Sequence, residues 1–172
     1  MLEPVNAVTR CFKKFFDFKG QARRSEFWWY VLFTVIVSWA FSFLGAFSMV
    51  FTFIGLLVSL VLLIPQISAM TRRLHDTGRS GWWVLGVYGC VLVVYGAFAS
   101  MLLPHASALM GEGDDMALAM IVVDAIQESP GAMGVAAIAG MCSVILGIIT
   151  LVFCIQDSNW NENKYGPSPK YQ

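Results

Sequence analysis

Charge is the first thing that the chain lacks. Asp, Glu, Lys and Arg make up 13% of its 172 residues, against about 25% in an ordinary soluble domain. The 11 basic and 11 acidic residues cancel, so the composition offers neither the basic surface of a nucleic-acid-binding protein nor the charge excess of a disordered chain. Because 58% of the residues are hydrophobic, an ordinary water-soluble domain is excluded as well.

Cysteine and histidine are scarce too. The four cysteines show no C-x-x-C spacing, and the two histidines, His75 and His105, stand far apart. This distribution lacks the close spacing of ligands that a zinc site requires. Three of the cysteines fall inside apolar stretches, where a thiol behaves as a small apolar side chain. We therefore expect no cofactor and no metal site.

Long uncharged stretches dominate the sequence instead. They cover residues 27–71, 80–111 and 129–156, which contain 45, 32 and 28 residues. A helix rises about 1.5 Å per residue and the hydrocarbon core is about 30 Å thick, so the first stretch fits two crossings and the others fit one each. We predict spans at 27–47, 51–70, 82–103 and 133–155, with the first break near Gly45.

These spans predict an all-α integral membrane protein. Its four transmembrane helices are expected to form two hairpins within a single domain, residues 1–172. A membrane barrel is excluded because its strands need alternating hydrophobicity, which these stretches lack. Helices satisfy every backbone polar group within the segment, as hydrocarbon requires.

Two further helices are expected outside the spans. Residues 4–16 place Val5, Val8 and Phe12 on one helical face, with Arg10 and Lys13 on others. This pattern predicts either an N-terminal interfacial amphipathic helix or a short helix packed on the ends of the spans. The apolar segment 116–126 predicts a short helix that lies on the membrane, folds over the bundle or re-enters the bilayer.

All basic residues fall on one side of the predicted membrane. The 11 Lys and Arg lie in residues 1–26, 71–81 and 156–172, whereas loop 104–132 carries five acidic residues and no basic one. Because Lys and Arg resist translocation, we predict that both termini are cytoplasmic and that loop 104–132 is outside. The interface anchors expected at the cytoplasmic boundary are Trp28, Trp29, Trp82, Trp83 and Trp160.

Three motifs on the predicted cytoplasmic side carry a family resemblance. They are GQARRSEFW at 20–28, RRLHDTGRSGWW at 72–83 and NENKYGPSPK at 161–170. With them the chain resembles the domain-of-unknown-function 805 family of small bacterial inner-membrane proteins, over residues 12–103 and 133–170. Two features depart from the family pattern: Asn161 replaces an expected glycine, and loop 104–132 is longer. The resemblance implies a multi-span fold in the bacterial inner (plasma) membrane, without a biochemical activity.

The first two motifs bring five arginines to one membrane depth: Arg23, Arg24, Arg72, Arg73 and Arg79. Glu26, His75 and Asp76 are the polar partners expected to hold these loops. Arg72 and Asp76 are four residues apart, so they are expected to pair if the helix of the second span continues that far. Two interpretations are open. Either the arginines only set the topology and reach headgroups as flexible cations, or they converge on the phosphate of an anionic lipid or soluble ligand.

Catalysis and transport are less well supported. An enzyme would need His75 as a general acid or base oriented by Asp76, but adjacent helical residues point about 100° apart, so we predict no enzyme. A transporter would need polar or ionisable groups at mid-membrane, and no Asp, Glu, Lys, Arg or His lies there. A pore formed by oligomers stays open, lined by Thr34, Ser38, Ser42 and Ser59.

The sequence therefore favours a non-enzymatic lipid-binding, partner-binding or scaffolding module that contacts the phospholipid membrane and its anionic headgroups. The alternative is a small oligomeric channel or transporter. Gly89 and Gly96 on the third span, and Gly140 and Gly147 on the fourth, permit close packing of these helices. That packing occurs within the chain or with a homo-oligomer or membrane protein partner. No nucleic-acid partner is expected.

The topology predicts which positions an impermeant thiol reagent reaches in intact cells. Gly113→Cys should be labelled from outside because position 113 lies in loop 104–132, and Gly78→Cys should be protected. Labelling is measured as a mass shift. The same measurement on the native chain gives the background from its four own cysteines. Labelling at position 78 together with protection at position 113 would reverse the topology.

Overall fold

The computed structural model describes residues 3–111, 114–158 and 163–166. Its α-helices are α1 Pro4–Lys13, α2 Arg24–Gly45, α3 Met49–Asp76, α4 Trp82–Leu102, α5 Ala106–Gly111, α6 Asp115–Glu128 and α7 Pro130–Ile155. No β-strand occurs in this part of the chain, and four helices are long and apolar enough to cross a membrane. The all-α fold with four candidate spans is thereby confirmed. The predicted anchor Trp160 and the motif residue Asn161 lie outside the described residues.

Helices α2 and α3 form the first predicted hairpin. The break falls where it was expected, with α2 ending at Gly45 and α3 beginning at Met49. The Ser48 hydroxyl accepts a hydrogen bond from the Val50 N–H at 3.3 Å, which caps α3. A Cβ atom at Gly45 would lie 2.8 Å from Thr52 Oγ1, so glycine allows the two helices to approach closely at the turn.

Helix α3 extends beyond the predicted end of its span at residue 70. It continues through Pro65 and ends at Asp76. Proline has no N–H to donate, so the helix loses a backbone hydrogen bond at this point. Nearby, the Tyr30 hydroxyl of α2 donates to the Leu62 carbonyl at 3.0 Å. The extension adds almost two turns that carry Arg72, Arg73 and Asp76.

A Schellman turn ends α3. The Arg79 N–H donates to the Leu74 carbonyl at 2.8 Å, and the Gly78 N–H donates to the His75 carbonyl at 3.0 Å. Gly78 has a φ of 74°, the left-handed conformation that this turn requires at its position. A side chain at position 78 would strain this turn. Lys19→Cys, at an exposed position, is therefore better suited than Gly78→Cys to test the predicted cytoplasmic side by thiol labelling.

Helix α1 packs against α2, and the segment after it contacts α3. The Phe12 ring meets the rings of Tyr30 and Phe33 edge-on, with centroids 5.9 and 6.0 Å away, and Ala7 and Cys11 are buried. Of the two alternatives for residues 4–16, packing on the ends of the spans is therefore observed. Contact of the same helix with the membrane interface stays a prediction.

The chain divides into two compact units. One contains the described residues up to Val84 and those from Thr150 onward, and the other is Leu85–Ile149. A single domain stays a prediction. In the second unit the helix expected near 116–126 is α6, capped by the Asp114 carboxylate, which accepts from the Met116 N–H at 3.2 Å.

The glycines of the second unit do not pack as closely as the sequence suggested. A Cβ atom built at Gly89, Gly96, Gly140 or Gly147 would meet nothing within 4 Å. At Gly86, also on α4, a built Cβ atom would lie 3.5 Å from Leu146 Cδ1 of α7. The expected close packing at these four glycines is therefore not observed within the described residues. Their role in contacts with another chain stays a prediction.

The Schellman turn predicts a stability difference between two glycine substitutions. Gly78→Ala should destabilise the protein by about 1–2 kcal/mol, because an L-residue is strained in the left-handed conformation. Gly96→Ala, in an open helical position, should be neutral or slightly stabilising. Thermal unfolding in detergent measures both. Equal midpoints for the two variants would contradict the assigned turn.

Candidate functional site

The residues that the sequence singled out meet at one end of the α2–α3 hairpin. We call Glu26, Arg72, Arg73, His75, Asp76 and Arg79 the charged cluster. The first turn of α2 supplies Glu26, the last turns of α3 supply the next four residues, and the following loop supplies Arg79. The antiparallel hairpin brings the start of α2 beside the end of α3, so residues distant in sequence become neighbours.

Glu26 and Arg72 form a buried ion pair. Arg72 Nη1 lies 2.6 Å from Glu26 Oε1, and the two side chains are 0% and 2% exposed. Around this pair, Cys11 Sγ lies 3.9 Å from Glu26 Oε1 and Arg10 Nη1 lies 3.8 Å from Glu26 Oε2. The Ala22 N–H donates to the Arg72 carbonyl at 3.1 Å. The pair links α2 to α3, and the contacts around it attach α1 and the segment before α2 to the same place.

Arg73 and Asp76 form a second buried pair, linked by a hydrogen bond from Arg73 Nη1 to Asp76 Oδ2. Arg73 also donates from Nε to the Cys154 carbonyl at 3.1 Å and from Nη2 to the Gln156 carbonyl. The Ser158 hydroxyl donates to Asp76 Oδ2 at 2.6 Å. This pair therefore attaches the end of α7 to the end of α3.

The predicted pair of Arg72 with Asp76 is wrong. Spacings of three and of four residues both place side chains on one helical surface. The arginine that pairs with Asp76 is Arg73, three residues before it. Because neighbouring helical residues point about 100° apart, Arg72 is directed toward Glu26 on α2 while Arg73 is directed toward the end of α7. Each arginine therefore has its own carboxylate.

The remaining predicted arginines, Arg79 in the cluster and Arg23 and Arg24 beside it, do not meet at one point. The Arg79 guanidinium lies over the Phe153 ring, 3.6 Å from its centroid, and its Nη2 is 3.4 Å from Gln156 Oε1. Arg24 Nη1 lies 3.9 Å from Asp157 Oδ1, and both side chains are about half exposed. Arg23 precedes α2 as its N-cap residue. Anion binding by these five arginines stays a prediction.

His75 packs against the tail that follows α7. Its ring stacks on Tyr165 with centroids 3.8 Å apart and planes inclined by 9°. The Asn163 side-chain amide donates to the His75 carbonyl at 3.0 Å, and the Gln21 amide donates to Asn163 Oδ1 at 2.9 Å. The described part of the third motif is thus held against the first two motifs.

Several participants in this region were missed from the sequence, and five of them show which signals were available. Gln21, Asn163 and Tyr165 stand inside the quoted motifs, so membership of a motif was an available signal. Cys11 lies on the apolar face of α1, and Ser158 follows α7 without any periodic pattern. No sequence pattern indicated that these last two residues contact carboxylates on other segments.

The tryptophans near the cluster have different surroundings. Trp82 is 76% exposed, whereas Trp83 meets Phe153 edge-on at 5.4 Å. Trp28 meets Phe27 edge-on at 5.3 Å, and Trp29 lines an apolar groove between α1 and α2. Their role as interface anchors stays a prediction. Among the described residues, no group of three His, Cys, Asp or Glu side chains is arranged to hold a metal ion.

Comparison with known proteins assigns no activity. The family described as "Protein of unknown function (DUF805)" matches residues 15–167. Inner membrane protein YhaH of Escherichia coli K12 is 35% identical over 82 residues, which cover 42% of this chain and 64% of the relative. Inner membrane protein YhaI of the same strain is 34% identical over 74 residues, which cover 42% and 63%. The matches span less than two thirds of these relatives, and no solved structure matches the chain.

Loss of one buried carboxylate should destabilise the protein strongly. Glu26→Gln leaves Arg72 buried without its counter-charge, which costs about 3–5 kcal/mol. Arg24→Gln removes a half-exposed pair and should cost less than about 1 kcal/mol. Thermal unfolding in detergent compares them, and the double variant Glu26→Met/Arg72→Met should regain most of the loss. Equal unfolding midpoints for Glu26→Gln and Arg24→Gln would contradict the buried pair.

The Cys11 thiol should react slowly in the folded protein. Burial, and after it the charge of Glu26, raises the pKa of this thiol to about 12 from its ordinary 9.0. Because the thiolate is the reactive form, alkylation at pH 8 should be about a thousandfold slower than in the unfolded chain. Mass spectrometry of the Cys11 peptide gives both rates. Similar rates before and after denaturation would contradict the assigned environment.

Proposed function

The chain belongs to the DUF805 family of proteins of unknown function, and on that premise we propose that it is a non-enzymatic binding or scaffolding module of the bacterial inner membrane. Its relatives YhaH and YhaI are named inner membrane proteins, and the chain has four candidate membrane-spanning helices. Both termini and the charged cluster face the cytoplasm in this proposal. The ligands are anionic headgroups or phosphate.

The observation that carries this proposal is that two ion pairs are buried next to each other. Arg72 with Glu26 and Arg73 with Asp76 connect α2, α3 and the end of α7 at one end of the hairpin, and Arg10 of α1 lies 3.8 Å from Glu26. Such an arrangement fixes several segments relative to one another before any ligand arrives. A module that holds its loops in one geometry suits binding and scaffolding, because little further ordering is needed on association.

Exposed arginines at the edge of the cluster supply the contacts with ligand. The side chains of Arg10 and Arg24 are 49% and 45% exposed, and their carboxylate partners lie at 3.8 and 3.9 Å. These distances are long enough for water or a competing anion to share each guanidinium. A planar guanidinium binds phosphate with two parallel hydrogen bonds, and the interface of an inner membrane supplies phosphate as lipid headgroups.

The surroundings of His75 support the absence of catalysis. The neighbouring Asp76 carboxylate is engaged by Arg73 and Ser158. A histidine base is usually oriented by a further group such as a carboxylate, and Asp76 is committed to other partners. The stack of the His75 ring on Tyr165 at 3.8 Å gives the ring a packing role in holding the tail.

One observation favours the alternative, a small oligomeric channel or transporter. Between α2 and α3 lies an open groove of about 480 Å³ whose lining includes the hydroxyl-bearing residues Ser38, Ser42, Thr52 and Ser59. Hydroxyl groups in a membrane segment line polar paths or bond to neighbouring helices. Several copies of the chain would be needed to enclose such a groove as a pore.

Native mass spectrometry of the detergent-extracted protein tests both proposals, because it reports subunit number and bound phospholipid together. The native chain should retain phosphatidylglycerol, and Arg10→Gln/Arg24→Gln should retain several-fold less because two exposed guanidiniums are lost. The matched control Arg10→Lys/Arg24→Lys keeps the charge and should retain an intermediate amount.

Two results would contradict the binding module. Equal phosphatidylglycerol retention by the native chain and the glutamine variant would remove the arginine edge as a lipid site. A ring-sized oligomer that carries no lipid would instead favour the channel.

A further inference from the structure

We propose that residues 13–19, which we call the basic loop, form a separate site for the headgroups of anionic phospholipids. The loop begins at Lys13, the last residue of α1, and combines lysine with phenylalanine. The inference rests on the proposed function for its ligand class, but it names a site to which neither the charged cluster nor the exposed arginines contribute.

The first argument is the charge of the basic loop. It contains Lys13, Lys14 and Lys19 against the single carboxylate of Asp17, three positive charges against one negative charge. Lys14 Nζ lies 3.7 Å from Asp17 Oδ2, and both side chains are about 40% exposed. All of these residues line one open cleft of about 570 Å³. A cleft of this charge is complementary to a phosphate-bearing headgroup.

The second argument is the exposure of aromatic rings beside the lysines. Phe16 is 72% exposed and Phe18 is 40% exposed, while Phe15 meets Phe16 edge-on at 4.8 Å. Exposed rings next to cations match the boundary between headgroups and acyl chains, where the ring enters the apolar layer and the ammonium stays at the phosphate. A soluble phosphate ligand would use the lysines and leave the rings in water.

The third argument is that the basic loop is held in place by a buried hydroxyl of α3. Ser68 Oγ lies 2.6 Å from the Asp17 carbonyl oxygen and 3.0 Å from that of Lys14. Within the loop, the Lys19 N–H donates to Asp17 Oδ1 at 3.1 Å. Since Ser68 belongs to a candidate membrane-spanning helix, the loop is fixed close to that helix, and binding requires little further ordering.

The fourth argument is an apolar groove on the helix that precedes the loop. Pro4, Val5 and Val8 of α1 and Leu32 and Ile36 of α2 border this groove of about 390 Å³. The same α1 ends at the basic loop. An apolar groove beside a candidate span suits the acyl chains of a membrane, and the exposed phenylalanines and lysines at the end of the same helix suit its headgroups. Together they fit one occupant of the loop, an anionic phospholipid of the surrounding leaflet.

The test is competition between lipids on the full chain. Native mass spectrometry in mixed micelles containing equal amounts of phosphatidylglycerol and phosphatidylcholine gives the ratio of the two bound lipids. In the Arg10→Gln/Arg24→Gln background, where the exposed arginines no longer contribute, Lys13→Gln/Lys14→Gln/Lys19→Gln should lower the remaining ratio at least tenfold, because each lysine near an anionic surface contributes about fivefold. The matched control with three Lys→Arg substitutions should keep the ratio.

A second variant tests the aromatic contribution. Phe16→Ser/Phe18→Ser should lower the retention of both lipids alike, because the apolar contact does not depend on headgroup charge. Unfolding midpoints near that of the native chain verify that the exposed substitutions leave the fold intact. Addition of inorganic phosphate at 10-fold excess over lipid should leave the ratio unchanged.

The outcomes separate this inference from the proposed function. If Arg10→Gln/Arg24→Gln keeps part of the preference for phosphatidylglycerol and the added lysine substitutions abolish it, the basic loop is supported. If the arginine substitutions alone abolish the preference, or if the added lysine substitutions leave it unchanged, the basic loop is overturned. The proposed function is judged separately, by the loss that the arginine variant shows against the native chain. Displacement of lipid by inorganic phosphate would also overturn the inference, in favour of a soluble phosphoryl ligand.

Discussion

The fold depends on the cost of burying a charge. Arg72 and Arg73 are fully buried near the end of a helix that is otherwise apolar, and each has a carboxylate that is equally buried. Taking one ion out of water costs several kcal/mol, which only a close partner with further hydrogen bonds offsets. Each pair therefore requires the segment that supplies its other contacts, and several regions of the chain must be in place together.

This requirement explains the shape of α3. A helix that ended at residue 70 would span the membrane, yet α3 continues to Asp76. The additional turns present Arg72 and Arg73 on different sides, the first toward Glu26 and the second toward Cys154 and Gln156. Gly78 then ends the helix with its left-handed turn and directs the chain toward α4. The extension is thus the element that connects the N-terminal segment with the end of α7.

The sequence predicted those features that local physics controls. Uncharged length located the four candidate spans, and small residues located the break beside Gly45. Pairing within the cluster was predicted less well. Spacing alone favoured Arg72 with Asp76, whereas the actual partner, Glu26, lies 46 positions away in sequence.

Contacts of that kind depend on how helices pack, which hydrophobic periodicity does not encode. Ser158 illustrates the limit. It lies after α7 without a repeating pattern, but its hydroxyl contacts Asp76, 82 positions earlier. Gln21 and Asn163 are intermediate cases. Both stand in motifs that the sequence analysis singled out, and in the structure the Gln21 amide donates a hydrogen bond to Asn163. Membership of a motif therefore indicated which residues belong to the site, but not which residues they contact.

The distribution of the two basic residue types follows from the same physics. Topology depends on Lys and Arg alike, yet the buried cations are both arginines, and the lysines with described exposure are exposed or half-exposed. Arg73 donates from Nε, Nη1 and Nη2 to three different acceptors, a fixed planar fork that an ammonium group cannot reproduce. Lysine, a strongly hydrated point charge on a flexible stem, suits a wet surface instead. In the described residues the two basic residue types are therefore placed differently: arginine joins segments from buried positions, and lysine stays at exposed or half-exposed positions, as the proposed contacts with headgroups require.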